Sequence, residues 1–296
     1  MNAMDRRALF TSGAAAALLA STGLSAAGTG PKPGGRLRAA LSGARRSDGW
    51  GIHSGLFMHA AAQGAVFDTL TEISASGTLR GELATGWEGS QDARIWLFDL
   101  RQGVTFHNGA TFTARDVVAS MLRHRALGVL PGVSTITAIT PHQVQIKLHT
   151  GNADLPYMMS DPRLLIYPAD DTDIALQQGI GTGLYRVKQF QPGRQFLGVR
   201  VAEHYKDGHA GWFETVEFTS VPDARVRAQA LEGGYVDVAD QVDLSGLSGS
   251  SDAIKLTRGP DGKIVVGSTL SIGMPDTIGH NWPMDNARMA ERWWMV

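Results

Sequence analysis

The stretch that most constrains the fold of this chain is "RIWLFDLRQGVTFHNGATFTARDVVAS", Arg94 to Ser120. From Ile95 to Leu100 the apolar residues alternate, with Trp96, Phe98 and Leu100 on one side of a strand and Leu97 and Asp99 on the other. "RQGV" is a turn centred on Gly103. "HNG" is a second turn, because Asn-Gly readily takes positive φ. Thr113 followed three residues on by Asp116 matches a capping box, so a helix is expected through "VVASMLRHR". His107, Asn108, Thr113 and Asp116 lie close together and are chemically capable. Their positions nonetheless mark turns and a cap rather than an active site.

The rest of the chain mixes the two periodicities. "RLRAAL" alternates Leu37, Ala39 and Leu41 and predicts a first strand. "LFMHAAAQGAVFDTLTEI" places Leu56, Ala60, Gln63, Phe67 and Leu70 on or near one helical face. "HQVQIKLHT" and "WFETVEFTSV" predict strands, and "GTGLYRVKQFQPGRQFLGVRV" predicts strand, Pro-Gly turn, strand. "NADLPYMMSDPRLLIYP" is irregular, broken by Pro156, Pro162 and Pro168. "DARVRAQALEGGYVDVAD" predicts a helix closed by Gly233-Gly234, then a strand at Tyr235 to Val238. Gln241 to Ser251 is Ser/Gly-rich and loop-like. The mixture predicts an α/β fold.

Composition excludes several classes. A net charge of -1, from 27 basic and 28 acidic side chains, gives no electrostatic footprint for nucleic acid or an anionic membrane surface. With no cysteine there is no disulfide, thiolate catalyst, thiolate metal site or lipidated N-terminal cysteine. The N-terminus, "MNAMDRRALFTSGAAAALLASTGLSAAGTG", carries Arg6-Arg7, an apolar run and small residues around Ala27. It reads as an export signal over residues 1–27. "DRRALF" favours the twin-arginine type, with an ordinary Sec signal as the alternative. The mature chain is expected to start near Gly28, free in a bacterial periplasm and without a membrane anchor.

Three blocks carry a resemblance. "GELATGWEGSQDARIWLFDLRQGVTFHNGATFTARDVVAS" (Gly81 to Ser120) resembles a "LAxxWE" segment leading to a "FxLRxGVxFHxG" hairpin and a "FTAxDVVxS" helix. "GTGLYRVKQFQPGRQ" resembles "GTGPYxxxxxxPG", and "VPDARVRAQALEGGYVDVAD" resembles "xPDxxxRxxALxxGEIDxA". In order and spacing, over roughly Arg36 to Asp240, these are similar to the dipeptide/oligopeptide/nickel-binding family of periplasmic solute-binding proteins, extracellular solute-binding protein family 5. The resemblance implies a type II-like periplasmic-binding-protein fold. Two hinged lobes would close on a peptide, opine, sugar or metal chelate and deliver it to an ABC permease. It implies a first lobe from 28–64, 155–270 and 280–296, with a mixed α/β subdomain inserted at 65–154. Family members are ordinarily longer, and the second lobe is expected to be largely absent here. "PMDNARMAE" could be the family's "PFDDxRVRxA" element that opens the second lobe. The favoured alternative is that "NWPMDNARMAERWWMV" is the far C-terminus returning to the first lobe.

By position in the family, the loop after the first strand supplies Trp50, His53 and Met58 as candidate ligand contacts, and the segment before "GTG" supplies Arg163 and Tyr167. Trp and Met give adaptable apolar surface and Arg can clamp a carboxylate. Gly181 and Thr182 of "GTG" are the family's backbone crossing near the cleft. For each of these, core packing or a surface ion pair is the competing role. "GTG" is not a dinucleotide fingerprint, since it lacks the third glycine and precedes a strand. Asp170, Asp171 and Asp173 do not follow EF-hand spacing and read as a solvated loop. His53 with His59 has no third ligand at metal-site spacing. No cofactor, no metal and no catalytic residue is expected. The expected function is solute binding for import, with a non-binding remnant of such a protein, and more remotely a periplasmic hydrolase, as rivals.

Overall fold

The computed structural model describes residues 32–274, apart from 52–54, 75–76 and 248–252. Residues 1–27, read above as an export signal, His53 and the "PMDNARMAERWWMV" ending therefore lie outside the described residues.

A seven-stranded sheet organises the first half of the architecture, in the order β12-β13-β11-β1-β10-β9-β8. Its middle is parallel: β1 (Arg36–Leu41) lies between β10 (Thr215–Ser220) and β11 (Val238–Asp240) and runs parallel to both. β8 (Tyr185–Gln191) and β9 (Gln195–Arg200) flank β10 antiparallel, while β13 (Ile264–Thr269) and β12 (Ile254–Arg258) flank β11. Alternate residues of β1 serve opposite faces, as strand geometry requires. Leu37, Ala39 and Leu41 enter a core with α1 (Leu56–Ala61), and Ala40 enters a second core with α5 (Ala224–Glu232).

The other half is a subdomain. β4 (Ala84–Gly89), β5 (Ile95–Leu100), β7 (Gln143–Leu148) and β6 (Val133–Thr140) form an antiparallel sheet in the order β4-β5-β7-β6. α2 (Ala114–Ala126) covers one face through Ala114, Val117 and Met121. Phe98 and Leu100 point into that core while Asp99 is exposed, as the alternation requires. The core also takes Leu155, Met159, Leu164 and Ile166, so it draws on residues beyond the 65–154 segment. The capping box forms: Asp116 Oδ2 accepts from Thr113 N at 2.7 Å. Gly103 and Gly109 take φ of 74° and 86°, as the two turns need.

Two expectations shift. The helix predicted over "LFMHAAAQGAVFDTLTEI" stops at Ala61, continues as one π turn, Ala62–Val66, and becomes extended at Phe67. The Val66 carbonyl is taken by Gly183 N at 2.9 Å, a distant partner that ends the intrahelical ladder there. Thr71–Ile73 instead pairs as β2 with β3 (Leu79–Gly81). The strand predicted at Tyr235 to Val238 begins at Val238, because Tyr235 N and Val236 N both bond back to the Ala230 carbonyl of α5. The short helices α3 (Leu155–Met158) and α4 (Thr172–Gln178) complete the chain's α content, beside one 3-10 turn at Leu244–Gly246, among the described residues.

Candidate ligand-facing edge

The carboxyl ends of β10, β1 and β11 meet along one edge of the large sheet. In open α/β sheets, that edge is where ligands are taken. One arginine fastens it. Arg227, buried on α5, donates from Nε to the Asp240 carbonyl at 2.7 Å. Its Nη1 donates to Val221 O and Pro222 O, and its Nη2 to Gln241 O. Its Nε also lies 3.0 Å from Asp240 Oδ1. The Asp240 carboxylate in turn accepts from Ser42 N at 3.0 Å and from Ser42 Oγ. Burial pushes this carboxyl above the usual range, against the pull of Ser42 and Arg227. One guanidinium thus ties the ends of β10 and β11, and one carboxylate ties β11 to the end of β1. Gln241 holds φ of 41°, a left-handed conformation uncommon for a residue with a side chain. Beyond Ser42 the loop crosses itself: a Cβ on Gly55 would lie 2.4 Å from Gly43 O, so glycine is required there.

The predicted contacts are not brought together at this edge. Trp50 is 1% exposed, with its ring centroid 4.5 Å from Phe190 and 5.9 Å from both Phe67 and Phe196. Met58 is fully buried beside it in the same core. Tyr167 is buried too, its hydroxyl donating to the Trp50 carbonyl at 3.1 Å. For these three the competing core role is the one observed: Trp50 packs on Phe190 of β8 and Phe196 of β9, Met58 is buried on α1, and Tyr167 packs on Phe67 and on His124 of α2. Arg163 is exposed and chelates Asp161, two residues away. His53 lies outside the described residues.

Gly181 and Thr182 belong to a polar joint between the subdomain and the large sheet. His107 N donates to Gly181 O at 2.8 Å, and His107 Nε2 donates to Gly183 O at 2.8 Å. The "FHNG" turn of the opening block therefore grips "GTG". A Cβ on Gly181 would lie 2.1 Å from Val66 O, which explains glycine there without reference to a ligand. Thr182 Oγ1 donates to Asp68 Oδ2 at 2.8 Å. Beside it, Lys206 Nζ lies 2.7 Å from Glu72 Oε2 and 2.5 Å from Glu82 Oε1, and all three are buried. Burial alone would raise Asp68 and Glu72, but the Lys206 charge holds both below the usual carboxylate range. Glu82, the most crowded by burial and by Asp68 and Glu72, is pushed well above it. His204 donates from Nε2 to Thr182 O at 2.9 Å and accepts Lys206 N at Nδ1, which fixes it as neutral imidazole. Burial accordingly lowers its pKa. This joint is structural chemistry: its charges are spent on one another and on backbone groups.

Sequence reasoning passed over Ser42, Arg227 and Asp240. The signal was present, since Arg227 occupies the arginine of the "xPDxxxRxxAL" pattern. Asp170 pairs with Arg115 at 2.6 Å, and Asp171 and Asp173 sit at the start of α4, a helix-terminus arrangement.

Known proteins share this fold. Residues 78–289 match the family described as "Bacterial extracellular solute-binding proteins, family 5 Middle". The chain is 35% identical over 162 residues to the uncharacterised protein YhjP of Bacillus subtilis, covering 52% of this chain and 26% of that one. It is 27% identical over 190 residues to the nickel-binding periplasmic protein of Escherichia coli, covering 60% and 36%. Among solved structures it is similar to AgaA of A. tumefaciens R10, in complex with agropinic acid. The TM-score is 0.67 at 25% identity, covering 76% of this chain and 48% of that one. A dipeptide-binding protein from Pseudoalteromonas sp. SM9913, in complex with Met-Leu, shares the fold with a TM-score of 0.68 over 51% of its chain. The chain thus spans about half the length of the solved proteins it matches, and less of the curated ones. With a type II periplasmic-binding-protein fold and a family match over most of its length, this chain belongs to the family 5 extracellular solute-binding proteins.

Proposed function

We propose that this chain is the solute-binding component of an ABC importer. It would act in the periplasm after export, and hold a peptide-like or related small solute for a permease in the inner membrane. The observation that carries this reading is the fastened edge: Arg227, Asp240 and Ser42 hold three parallel strand ends rigid at the place where open α/β sheets take ligands. Nothing in the reading requires catalysis. A rigid wall, a solute and a partner to receive it are sufficient.

The test is thermal denaturation of the purified chain with dipeptides, oligopeptides, opines and nickel-histidine. A bound solute at a hundred times its Kd stabilises by about 2.7 kcal/mol. A saturable rise in Tm with one class supports the reading. The share of its relatives that the chain spans favours one second reading, in which it folds but holds no solute. That reading is supported if no class shifts Tm while the chain unfolds cooperatively.

A further inference from the structure

The same edge carries a charge pattern that points to the chemistry of its solute. Arg45 and Arg46 stand on the loop after β1, both exposed, and Arg194 stands on the turn between β8 and β9. The fold brings these two loops into direct contact. Ser220 N, at the carboxyl end of β10, donates to Arg194 O at 2.8 Å, which fixes the turn at the edge. The neighbouring Gly193, at φ of 72°, presses onto the loop so closely that a Cβ there would lie 2.8 Å from Arg45 C and Arg46 N. Three guanidinium stems therefore start within one small area.

Most arginines elsewhere in the described residues are paired with an acid, while Arg101, Arg125 and Arg258 donate to backbone carbonyls. Nine arginines lie within 4.0 Å of a carboxylate. Arg45, Arg46 and Arg194 have no such pairing among the described residues. The one acid on their loop, Asp48, accepts from Arg45 N at 2.7 Å, a backbone bond that closes a turn, and the Arg45 charge acts on that carboxyl from beyond ion-pair distance. Three guanidiniums against the one carboxylate of Asp48 leave an excess of positive charge on these two loops, in a chain whose overall balance is -1. Planar donor forks of this kind suit an oxyanion bound bidentately.

We propose that Arg45, Arg46 and Arg194 are the anion-recognising part of the edge, so that its solute bears a carboxylate or phosphate group. This rests on the solute-binding reading above. The experiment is calorimetric titration of the full chain, at ~0.15 M salt to screen diffuse attraction, with citrate, with inorganic phosphate and with the uncharged blocked dipeptide N-acetyl-alanyl-alanine amide. Each is repeated on the triple variant Arg45→Gln/Arg46→Gln/Arg194→Gln and on Arg115→Gln, an exposed arginine on α2 of the subdomain. All four positions are at the surface or half-buried, and circular dichroism verifies the fold. The expected result is saturable binding of one or both anions, weakened tenfold or more in the triple variant and unchanged in Arg115→Gln. Equal binding in both variants, or no saturable binding of either anion, overturns the proposal. If the blocked dipeptide binds equally well to the chain and the triple variant while the anions do not, the anion assignment fails and the solute-binding reading stands. If the chain pellets with phosphatidylglycerol vesicles but binds neither free anion, the patch recognises lipid headgroups and the assignment to a solute is wrong.

Discussion

Replacing Lys206 by methionine tests whether the polar joint holds the subdomain to the large sheet. The ammonium lies 2.7 Å from Glu72 and 2.5 Å from Glu82. At an effective dielectric of about 20, each contact carries a gross attraction of roughly 6 kcal/mol. Most of that offsets the desolvation of three buried charges, and removing one partner of such a set costs about 3–5 kcal/mol. Lys206→Met should therefore lower stability by about 3–5 kcal/mol at neutral pH, or roughly 10 °C in Tm. The loss should depend on pH. Without the ammonium, Arg80 still holds Glu72, but Glu82 is left buried and crowded by Asp68 and Glu72, and its already raised folded-state pKa rises further. The folded variant then binds more protons than its unfolded chain, so its stability falls as pH rises. Guanidinium unfolding of both proteins at pH 5 and pH 8 should show a gap that widens toward pH 8. Adding Glu82→Gln to the variant should recover part of it. A loss below about 1 kcal/mol, or one equal at both pH values, would refute the reasoning.

Trp50→Ala should cost about 3–5 kcal/mol by chemical denaturation, since the indole fills the core among three phenylalanines; an unchanged midpoint would contradict the burial. Thr113→Ala should cost about 1 kcal/mol through loss of the α2 cap, read from the same unfolding curves. His107, His124 and His204 each hold a backbone carbonyl through Nε2, and burial lowers the pKa of each. The unfolded chain therefore takes up protons first as pH falls through about 6.5. Stability from these groups is present above that pH and lost below it, by up to about 1.4 kcal/mol per pH unit for each histidine. The raised Glu82 carboxyl acts in the opposite direction, but as one group against three. Urea midpoints should fall between pH 7.5 and pH 5.5, and a flat or rising profile would count against neutral histidines.

What the sequence disclosed depended on range. Local signals were reliable: the alternation of Trp96, Phe98 and Leu100, the turns at Gly103 and Gly109, and the Thr113–Asp116 box all appear where their spacing placed them. β6 and β13 lie in stretches whose alternation is broken by Thr, Ser and Gly, β12 shows it over only four residues, and pairing with a neighbour makes them strands. Trp50 and Tyr167 were open to two roles because an aromatic side chain suits a core as well as a ligand. Only the partners, 17 to 146 positions away from Trp50, decide between them. The joint was invisible for the same reason: Lys206 meets Glu72 and Glu82 across separations of 134 and 124 residues.

The position of β1 in the middle of its sheet has a consequence for how the chain is made. Among the described residues it is the first strand synthesised, yet both neighbours come late: Arg36 pairs with Thr215, and Ala39 with Val238. At ribosomal rates of roughly 5–20 residues per second, β1 waits on the order of 10–35 s for its first partner. The antiparallel subdomain, with nearer partners and lower contact order, can close in that interval. The nascent chain therefore carries an unpaired, apolar parallel strand behind an already folded body. That leaves a window in which chaperones can hold it, and it makes the apolar run Ala39–Leu41 the segment most exposed to misassembly before residue 215 emerges.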